Sequence, residues 1–220
     1  MADIVDYSQH FKKFHLGCGT IFIRNYLNIG YWRHLDSDVV YVNPNGVEGT
    51  YLLNHDLVLG IPASDNSLEV IYHSHLLEHL SYKEGIAFTA NCFKALAPGG
   101  IMRVLVPDLE LWINNYVNNN NFYFDEYRKA LAPEGDLYPT KGAVFMGMLH
   151  NHEHKMGYDF DTLKWVLERA GFERIRRTLV QDSDLADITE VEPYVAIKAM
   201  ESLCVECYKP LAPLDPAVSP

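Results

Sequence analysis

The sequence lacks the features that mark membrane, secreted and nucleic-acid-binding proteins. Its 220 residues contain no run close to the roughly 20 consecutive apolar residues of a membrane-spanning helix. The acidic N-terminus has no basic segment followed by an apolar core, so we expect no signal peptide. The net charge is −11, and the largest basic cluster is Arg174, Arg176 and Arg177. We therefore expect no membrane and no nucleic-acid partner.

Cysteine is scarce, with only four residues in the chain. Cys204 and Cys207 form a C-x-x-C motif, but it lies in a predicted strand, where residues three apart point to opposite faces. No second cysteine pair is present to complete a zinc site. We expect structural thiols and a reducing, cytoplasmic location.

A glycine turn follows the first predicted strand, which covers residues 11–16. The stretch His15-Leu-Gly-Cys-Gly-Thr20 places two glycines where backbone can approach a ligand and adopt positive φ. Taken alone, an ordinary tight turn explains this stretch equally well. Only about seven residues then precede the next strand, fewer than a parallel crossover usually needs. Either the first helix is reduced to a turn or this strand pair is connected unusually.

Alternating strand and helix signals predict an α/β fold. A capping box, Ser81-Tyr-Lys-Glu84, begins a helix that Pro98-Gly-Gly100 ends, and a second helix runs from an Asp161 N-cap to Gly171. We expect a Rossmann-like open sheet, mostly parallel with an antiparallel last strand, and helices on both faces. The predicted strands cover residues 11–16, 26–29, 50–53, 68–72, 101–106, 174–180 and 202–208.

The sequence predicts a single domain over residues 1–220, with an insertion at about 111–158 and a loose Pro-rich tail at 209–220. The insertion is rich in aromatic residues and partly helical, and its Asn-rich tract at 114–121 shows no sheet or core pattern. It is expected to form a cap beside a ligand cleft at the C-terminal ends of the strands.

Several ordered motifs together resemble class I S-adenosylmethionine-dependent methyltransferases, in particular a small branch of the type 11 kind. The likeness spans most of the chain and is weakest in the insertion. It is carried by Leu16-Gly-Cys-Gly19, Tyr26-Leu-Asn-Ile-Gly30, His55-Asp-Leu57, the segment 67–80 containing Ser74-His-Leu-Leu-Glu-His79, and the segment 96–110 ending in Pro107-Asp-Leu-Glu110.

The resemblance implies S-adenosyl-L-methionine as the cofactor. The turn Gly17–Gly19 should pass under its methionine part, Asp56 or its neighbours should face adenine, and His73 to His75 should lie near the sulfonium. The implied cofactor-binding residues are His15, Leu16, Gly17, Cys18, Gly19, Asn28, Gly30, Tyr31, His55, Asp56, Leu57, His73, Ser74 and His75.

One position departs from the family pattern. Gly30 stands where the family has an acidic residue that accepts hydrogen bonds from both ribose hydroxyls. Losing these bonds costs about 1.5–3 kcal/mol, roughly ten- to hundredfold in affinity. Either Asp36, Asp38 or Tyr31 compensates, or the cofactor binds weakly.

The catalytic candidates are His75 and His79, with Asp108 as an alternative base or substrate contact. Methyl transfer requires a positioned nucleophile and, for a hydroxyl or amine, removal of a proton, for which histidine is suited near neutral pH. The simpler interpretation is that these histidines only shape the pocket and pack the turn.

The segment His150-Asn-His-Glu-His154 has metal-like spacing but lacks the H-E-x-x-H order. We favour a solvated loop and predict no metal ligand, with a divalent ion that orients substrate oxygens as the alternative.

These features favour a methyltransferase acting on a small or sugar-like acceptor. The alternative is an inactive relative that binds or scaffolds, with Gly30 as its main support. A dehydrogenase is disfavoured because G-x-G-x-x-G is absent. The sequence makes no prediction about the oligomeric state.

Overall fold

The computed structural model describes residues 5–131 and 134–211, and its framework is one eight-stranded sheet. The spatial order of the strands is β3-β4-β2-β1-β5-β6-β8-β7. They are β1 (Lys13–Leu16), β2 (Leu27–Gly30), β3 (Val40–Val42), β4 (Tyr51–Asn54), β5 (Leu68–Ser74), β6 (Leu96–Pro107), β7 (Glu173–Thr178) and β8 (Ser202–Tyr208).

Strands β4, β2, β1, β5 and β6 run parallel, whereas β8 is antiparallel to both β6 and β7. The predicted open sheet with an antiparallel last strand is therefore confirmed. The sequence did not predict β3, an antiparallel edge strand against β4. Strand β3 has only three residues, two half-buried and one exposed, which is too few to show the alternation that identifies a strand.

Seven α-helices accompany the sheet within the described residues. They are α1 (Tyr82–Ala95), α2 (Leu109–Val117), α3 (Asn121–Ala130), α4 (Lys141–His150), α5 (Phe160–Ala170), α6 (Ile188–Val191) and α7 (Val195–Glu201). Helices α1 and α5 pack on one face of the sheet, through side chains such as Phe88 and Leu163. The chain between β7 and β8, including α6, covers Tyr26, Val70 and Tyr72 on the other face. Helices therefore lie on both faces, as expected.

The connection from β1 to β2 contains turns and no helix, which resolves the alternatives that the sequence left open. The buried Asn28 side chain holds this connection. Its Oδ1 accepts a hydrogen bond from the Ile23 amide at 2.8 Å, and its Nδ2 donates to the Ile23 carbonyl at 3.0 Å. The Asn28 side chain thus forms hydrogen bonds with backbone groups of the connection, which in a helix would bond to other backbone groups.

Two helix boundaries differ from the predictions. The capping box at Ser81 and Glu84 is present, but α1 ends at Ala95 because β6 already begins at Leu96. Helix α5 is capped by Asp159, whose carboxylate accepts from the Thr162 amide at 2.8 Å, so the expected Asp161 N-cap is wrong. Gly171 ends α5 as expected, with a φ of +108° that favours glycine.

The inserted segment is more ordered than its composition indicated. Helices α2, α3 and α4 share a small core formed by Trp112, Phe124, Tyr127, Val144 and Met148. The Asn-rich tract ends α2 and supplies the N-cap of α3, where Asn120 accepts from the Tyr123 amide at 3.3 Å.

The start of the expected loose tail is bound to the sheet. The amide of Lys209 donates to the Gly100 carbonyl at 3.0 Å, and its ammonium donates to the Phe93 carbonyl at 2.7 Å. Residues 212–220 of that expected tail lie outside the described residues. Among residues 5–131 and 134–211, no helix combines the length and apolar character needed to cross a bilayer.

Candidate functional site

Two cavities meet at the C-terminal end of β5. The first, here the glycine cavity, has a volume of about 230 Å³ and is lined by Gly17, Cys18, Ser74, His75 and by Lys198 and Glu201 of α7. The second, here the cap cavity, has a volume of about 280 Å³ and is lined by His75, His79, Tyr127, Met148, His154 and Glu201. The two cavities share His75, Ile197 and Glu201 in their walls.

His75 occupies this shared wall in a backbone conformation with φ of +53°. Its Nε2 lies 2.9 Å from Ser202 Oγ and 3.6 Å from Glu201 Oε1, and its Nδ1 lies 3.2 Å from Glu78 Oε1. Burial lowers the pKa of His75, but the Glu78 and Glu201 carboxylates outweigh burial, and the pKa is raised. The imidazole is therefore held in the wall that the two cavities share, by a hydrogen bond with Ser202 and by the Glu78 and Glu201 carboxylates.

Lys198 brings a buried positive charge to the glycine cavity. Its ammonium donates to the Tyr72 hydroxyl at 2.8 Å. Burial lowers the pKa of Lys198, an effect that nearby Glu192 and Glu201 oppose. The sequence analysis missed Lys198 and Glu201 because they belong to a short helix far along the chain from the glycine turn.

The buried histidines His15 and His73 lie on opposite faces of the sheet. His15 lines the glycine cavity, and its Nδ1 lies 3.0 Å from Asn28 Oδ1. His73 instead packs edge-on against Phe88 of α1, with ring centroids 5.5 Å apart. Burial lowers the pKa of each histidine to about 4, against the opposing effects of the hydrogen bond that His15 donates to Asn28 Oδ1 and of the Glu78 charge near His73.

Several of the predicted site residues have their polar atoms engaged in structural contacts. Asp108 caps α2 by accepting from the Leu111 amide at 3.1 Å, and its other oxygen pairs with Arg177. His55 Nδ1 contacts Asp38 at 2.7 Å, and its Nε2 contacts the Gly60 carbonyl at 3.1 Å. Asn28 is similarly saturated by the β1–β2 connection. None of these three side chains lines the glycine cavity or the cap cavity.

The remaining predicted residues lie at the strand ends with different exposure. Asp56 accepts from the Val58 amide at 3.0 Å, Tyr31 is exposed, and Leu16 is fully buried in the core. Leu57 lines a smaller apolar cavity of about 110 Å³ together with Leu76. Leu76 also lies against Gly17, where an added Cβ would approach its Cδ1 to 2.7 Å.

Gly30 is covered by Trp32. A Cβ at position 30 would lie 2.5 Å from two carbons of the indole ring and 3.3 Å from Cys18 Sγ. Asn54 fixes the loop that carries Trp32, because its Oδ1 accepts from the Trp32 amide at 2.7 Å and its Nδ2 donates to the Leu35 carbonyl at 3.0 Å. An indole ring thus occupies the space into which an acidic side chain at position 30 would extend.

No protein family model matches the sequence, and no curated protein matches it. Solved structures do match. A SAM-dependent methyltransferase from Thermotoga maritima aligns over 90% of this chain and 81% of its own, at 14% identity and a TM-score of 0.51. The CMeT domain of the citrinin polyketide synthase aligns over 94% of this chain and 48% of its own, at 10% identity and a TM-score of 0.51. The chain has the class I methyltransferase fold.

A SAM-dependent methyltransferase from Archaeoglobus fulgidus aligns over 92% of this chain and 88% of its own, at 13% identity and a TM-score of 0.49. Identities in this range reveal the fold alone.

Proposed function

We propose that this protein transfers a methyl group from S-adenosyl-L-methionine to a small or sugar-like acceptor. The observation that carries the proposal is the shared wall of His75, Ile197 and Glu201 between the glycine cavity and the cap cavity. A methyltransferase needs this arrangement, because donor and acceptor must approach each other in line from two sides. The class I methyltransferase fold of the chain also supports methyl transfer.

The glycine cavity fits the amino-acid end of the cofactor. Gly17 and Gly19 have φ of +65° and +50°, and an added Cβ at Gly19 would meet no atom within 4 Å, so backbone is open to a ligand there. The Lys198 ammonium and the Glu201 carboxylate suit the carboxylate and ammonium groups of a bound amino acid. When bound, S-adenosyl-L-methionine supplies an electrophilic methyl group.

The ribose end fits less well. Gly30 offers no carboxylate and is covered by Trp32, and Gly17 is covered by Leu76. The glycine cavity, at about 230 Å³, is also smaller than the roughly 300–1,000 Å³ of typical ligand pockets. Binding of the whole cofactor therefore requires Leu76 to rotate and open the space toward Leu57 and Asp56.

We assign to His75 the role of binding the acceptor and removing its proton. Its imidazole lies between the cavities, and Ser202 and Glu78 fix the orientation of its ring. When an acceptor hydroxyl or amine takes the place of Ser202 Oγ at Nε2, the imidazole can hold it by a hydrogen bond and remove its proton. His79 lies farther along the wall of the cap cavity, whereas Asp108 is engaged by Arg177 and the α2 amide.

We further propose a cytoplasmic location, a single domain and no nucleic-acid partner. The four cysteines are free and buried, which suits a reducing cytoplasm. We assign residues 1–220 to one domain in which α2–α4 act as a cap over the acceptor. The net charge of −11 disfavours a nucleic-acid substrate.

Calorimetric titration with S-adenosylmethionine and S-adenosylhomocysteine tests the proposal. We expect one molecule bound per chain with a Kd on the order of 1–100 µM. Absence of binding by either compound at millimolar concentration would overturn it. That result would favour the scaffold alternative, which the replacement of an acid by Gly30 under Trp32 supports.

A further inference from the structure

Three potential metal ligands meet beside the cap cavity: His79 and His154 line its wall, and Glu78 is buried. Glu78 and His79 belong to the 3₁₀ turn Leu77–His79, and His154 follows α4. One ligand atom of each residue lies within 4.8 Å of the other two, and the rings of His79 and His154 have centroids 4.8 Å apart. We propose that Glu78, His79 and His154 bind a divalent first-row transition metal, with Zn²⁺ as the representative ion.

The Glu78 carboxylate is the observation that points to a cation. Its side chain is 1% exposed, and neither oxygen has a hydrogen-bond partner among the described residues. Oε1 lies 3.2 Å from His75 Nδ1, an ion-pair distance without hydrogen-bond alignment, and Oε2 lacks even that contact. Because His75 faces Oε1, Oε2 is the buried oxygen that lacks any polar neighbour among the described residues, and a metal bound there supplies one.

The His154 ring is already oriented for a metal. Its Nδ1 lies 2.7 Å from the Met148 carbonyl, which can only accept, so Nδ1 carries the proton and Nε2 keeps its lone pair. Metal-bound histidines commonly donate their second nitrogen to a carbonyl in this way. The backbone also joins the two ligand segments, since the Lys155 amide donates to the Glu78 carbonyl at 2.7 Å.

The ligand set suits a transition metal with an open position. Two imidazoles and one carboxylate are typical ligands of zinc in sites that keep a position for water or substrate. Zinc bonds of about 2.0–2.1 Å hold ligand atoms about 3.3 Å apart, so the side chains must close by about 1.5 Å at most. His79 and His154 line the cap cavity, so the open position faces the acceptor side.

Titration of the metal-free chain with Zn²⁺ by calorimetry, and with Co²⁺ by visible absorption, tests the site. We expect one equivalent of Zn²⁺ with a Kd of about 1 µM or tighter. Glu78→Gln and His154→Ala should each weaken it at least about 100-fold, more than loss of a supporting hydrogen bond usually does. The matched controls Glu153→Gln and His150→Ala replace exposed residues of the same segment and should bind as the wild type does.

Metal-free melting curves separate metal binding from folding. Glu78→Gln also removes the ion-pair contact with His75, so its metal-free melting temperature measures the effect on folding separately from the effect on metal affinity. Binding weaker than millimolar by the wild type, or unchanged binding by both ligand variants, would overturn the proposal. Neither result depends on methyl transfer, because S-adenosylhomocysteine binding is measured separately.

Discussion

The indole ring of Trp32 lies over Gly30, and two of its carbons would be 2.5 Å from a Cβ at that position. Gly30 and Trp32 are therefore coupled: an acidic side chain cannot be placed at position 30 while the indole stays in place. Trp32 must therefore be replaced before an acidic side chain at position 30 can reach a ligand.

Gly30→Asp alone should destabilise the protein by about 1–3 kcal/mol, as overpacking of a filled space does. It should not tighten S-adenosylhomocysteine binding. In a Trp32→Ala background the same substitution should tighten binding about ten- to hundredfold, since the carboxylate can then reach the ribose. Calorimetry on the four proteins of this double-mutant cycle measures the coupling. Equal effects of Gly30→Asp in both backgrounds would show that Trp32 does not control this position.

Lys198→Met should weaken S-adenosylhomocysteine binding about ten- to hundredfold, because a buried charge-assisted contact to the ligand carboxylate is lost. Calorimetry provides the measurement. Lys83→Met, which replaces an exposed lysine of α1, is the control and should bind as the wild type does. Wild-type affinity in the folded Lys198 variant would contradict the proposal that the amino-acid end of the ligand binds in the glycine cavity.

The backbone of His75 allows a stability prediction that does not depend on its chemistry. His75 has φ of +53°, a region that asparagine tolerates and β-branched residues avoid. His75→Val should therefore lower the free energy of unfolding by about 1–3 kcal/mol more than His75→Asn does. Urea denaturation compares the two variants, and identical midpoints would contradict the conformational argument.

Stability should fall as the pH decreases from about 6.5 toward 4. Burial lowers the pKa of His15 and His73 to about 4, from an ordinary value of 6.5. Between these values the unfolded chain binds more protons than the folded chain, so protonation favours unfolding. The expected loss at pH 5 is up to about 2 kcal/mol per histidine.

Urea denaturation at pH 7 and pH 5 checks this dependence. His73→Leu should reduce the difference between the two pH values, because one of the two buried histidines is removed. His34→Gln, at an exposed position, should leave the difference unchanged. An undiminished difference in His73→Leu would assign the pH dependence to other groups.

Arg103 anchors the segment that leads to α7. Its side chain is fully buried, with Nε 2.6 Å from Glu192 Oε1, and it donates to the Leu179 carbonyl at 3.0 Å. Arg103→Met should cost about 3–5 kcal/mol of stability because it leaves Glu192 buried without its partner. Adding Glu192→Gln should recover part of that loss, measured by urea denaturation. Lys129→Met, at an exposed ion pair, should have no measurable effect.

The sequence by itself determined the strand and helix framework wherever local signals were strong. The capping box at Ser81 began α1, Gly171 ended α5, and the strand predicted at 202–208 matches β8 residue for residue. The glycine turn after β1 was likewise found from Gly17 and Gly19. Such signals depend on hydrogen bonds and backbone conformations within a few consecutive residues. The sequence of that short segment is therefore enough to predict them.

Only the tertiary structure decided which polar residues face the cavities. Asn28, His55 and Asp108 resemble site residues in the sequence, but fold-specific partners engage their polar atoms. Lys198 and Glu201 line the glycine cavity from a short helix that lies more than 120 residues after β5 in the chain. Trp32 over Gly30 and His154 beside Glu78 are also contacts between separate segments. Burial and pairing of this kind depend on how segments pack, which no local pattern encodes.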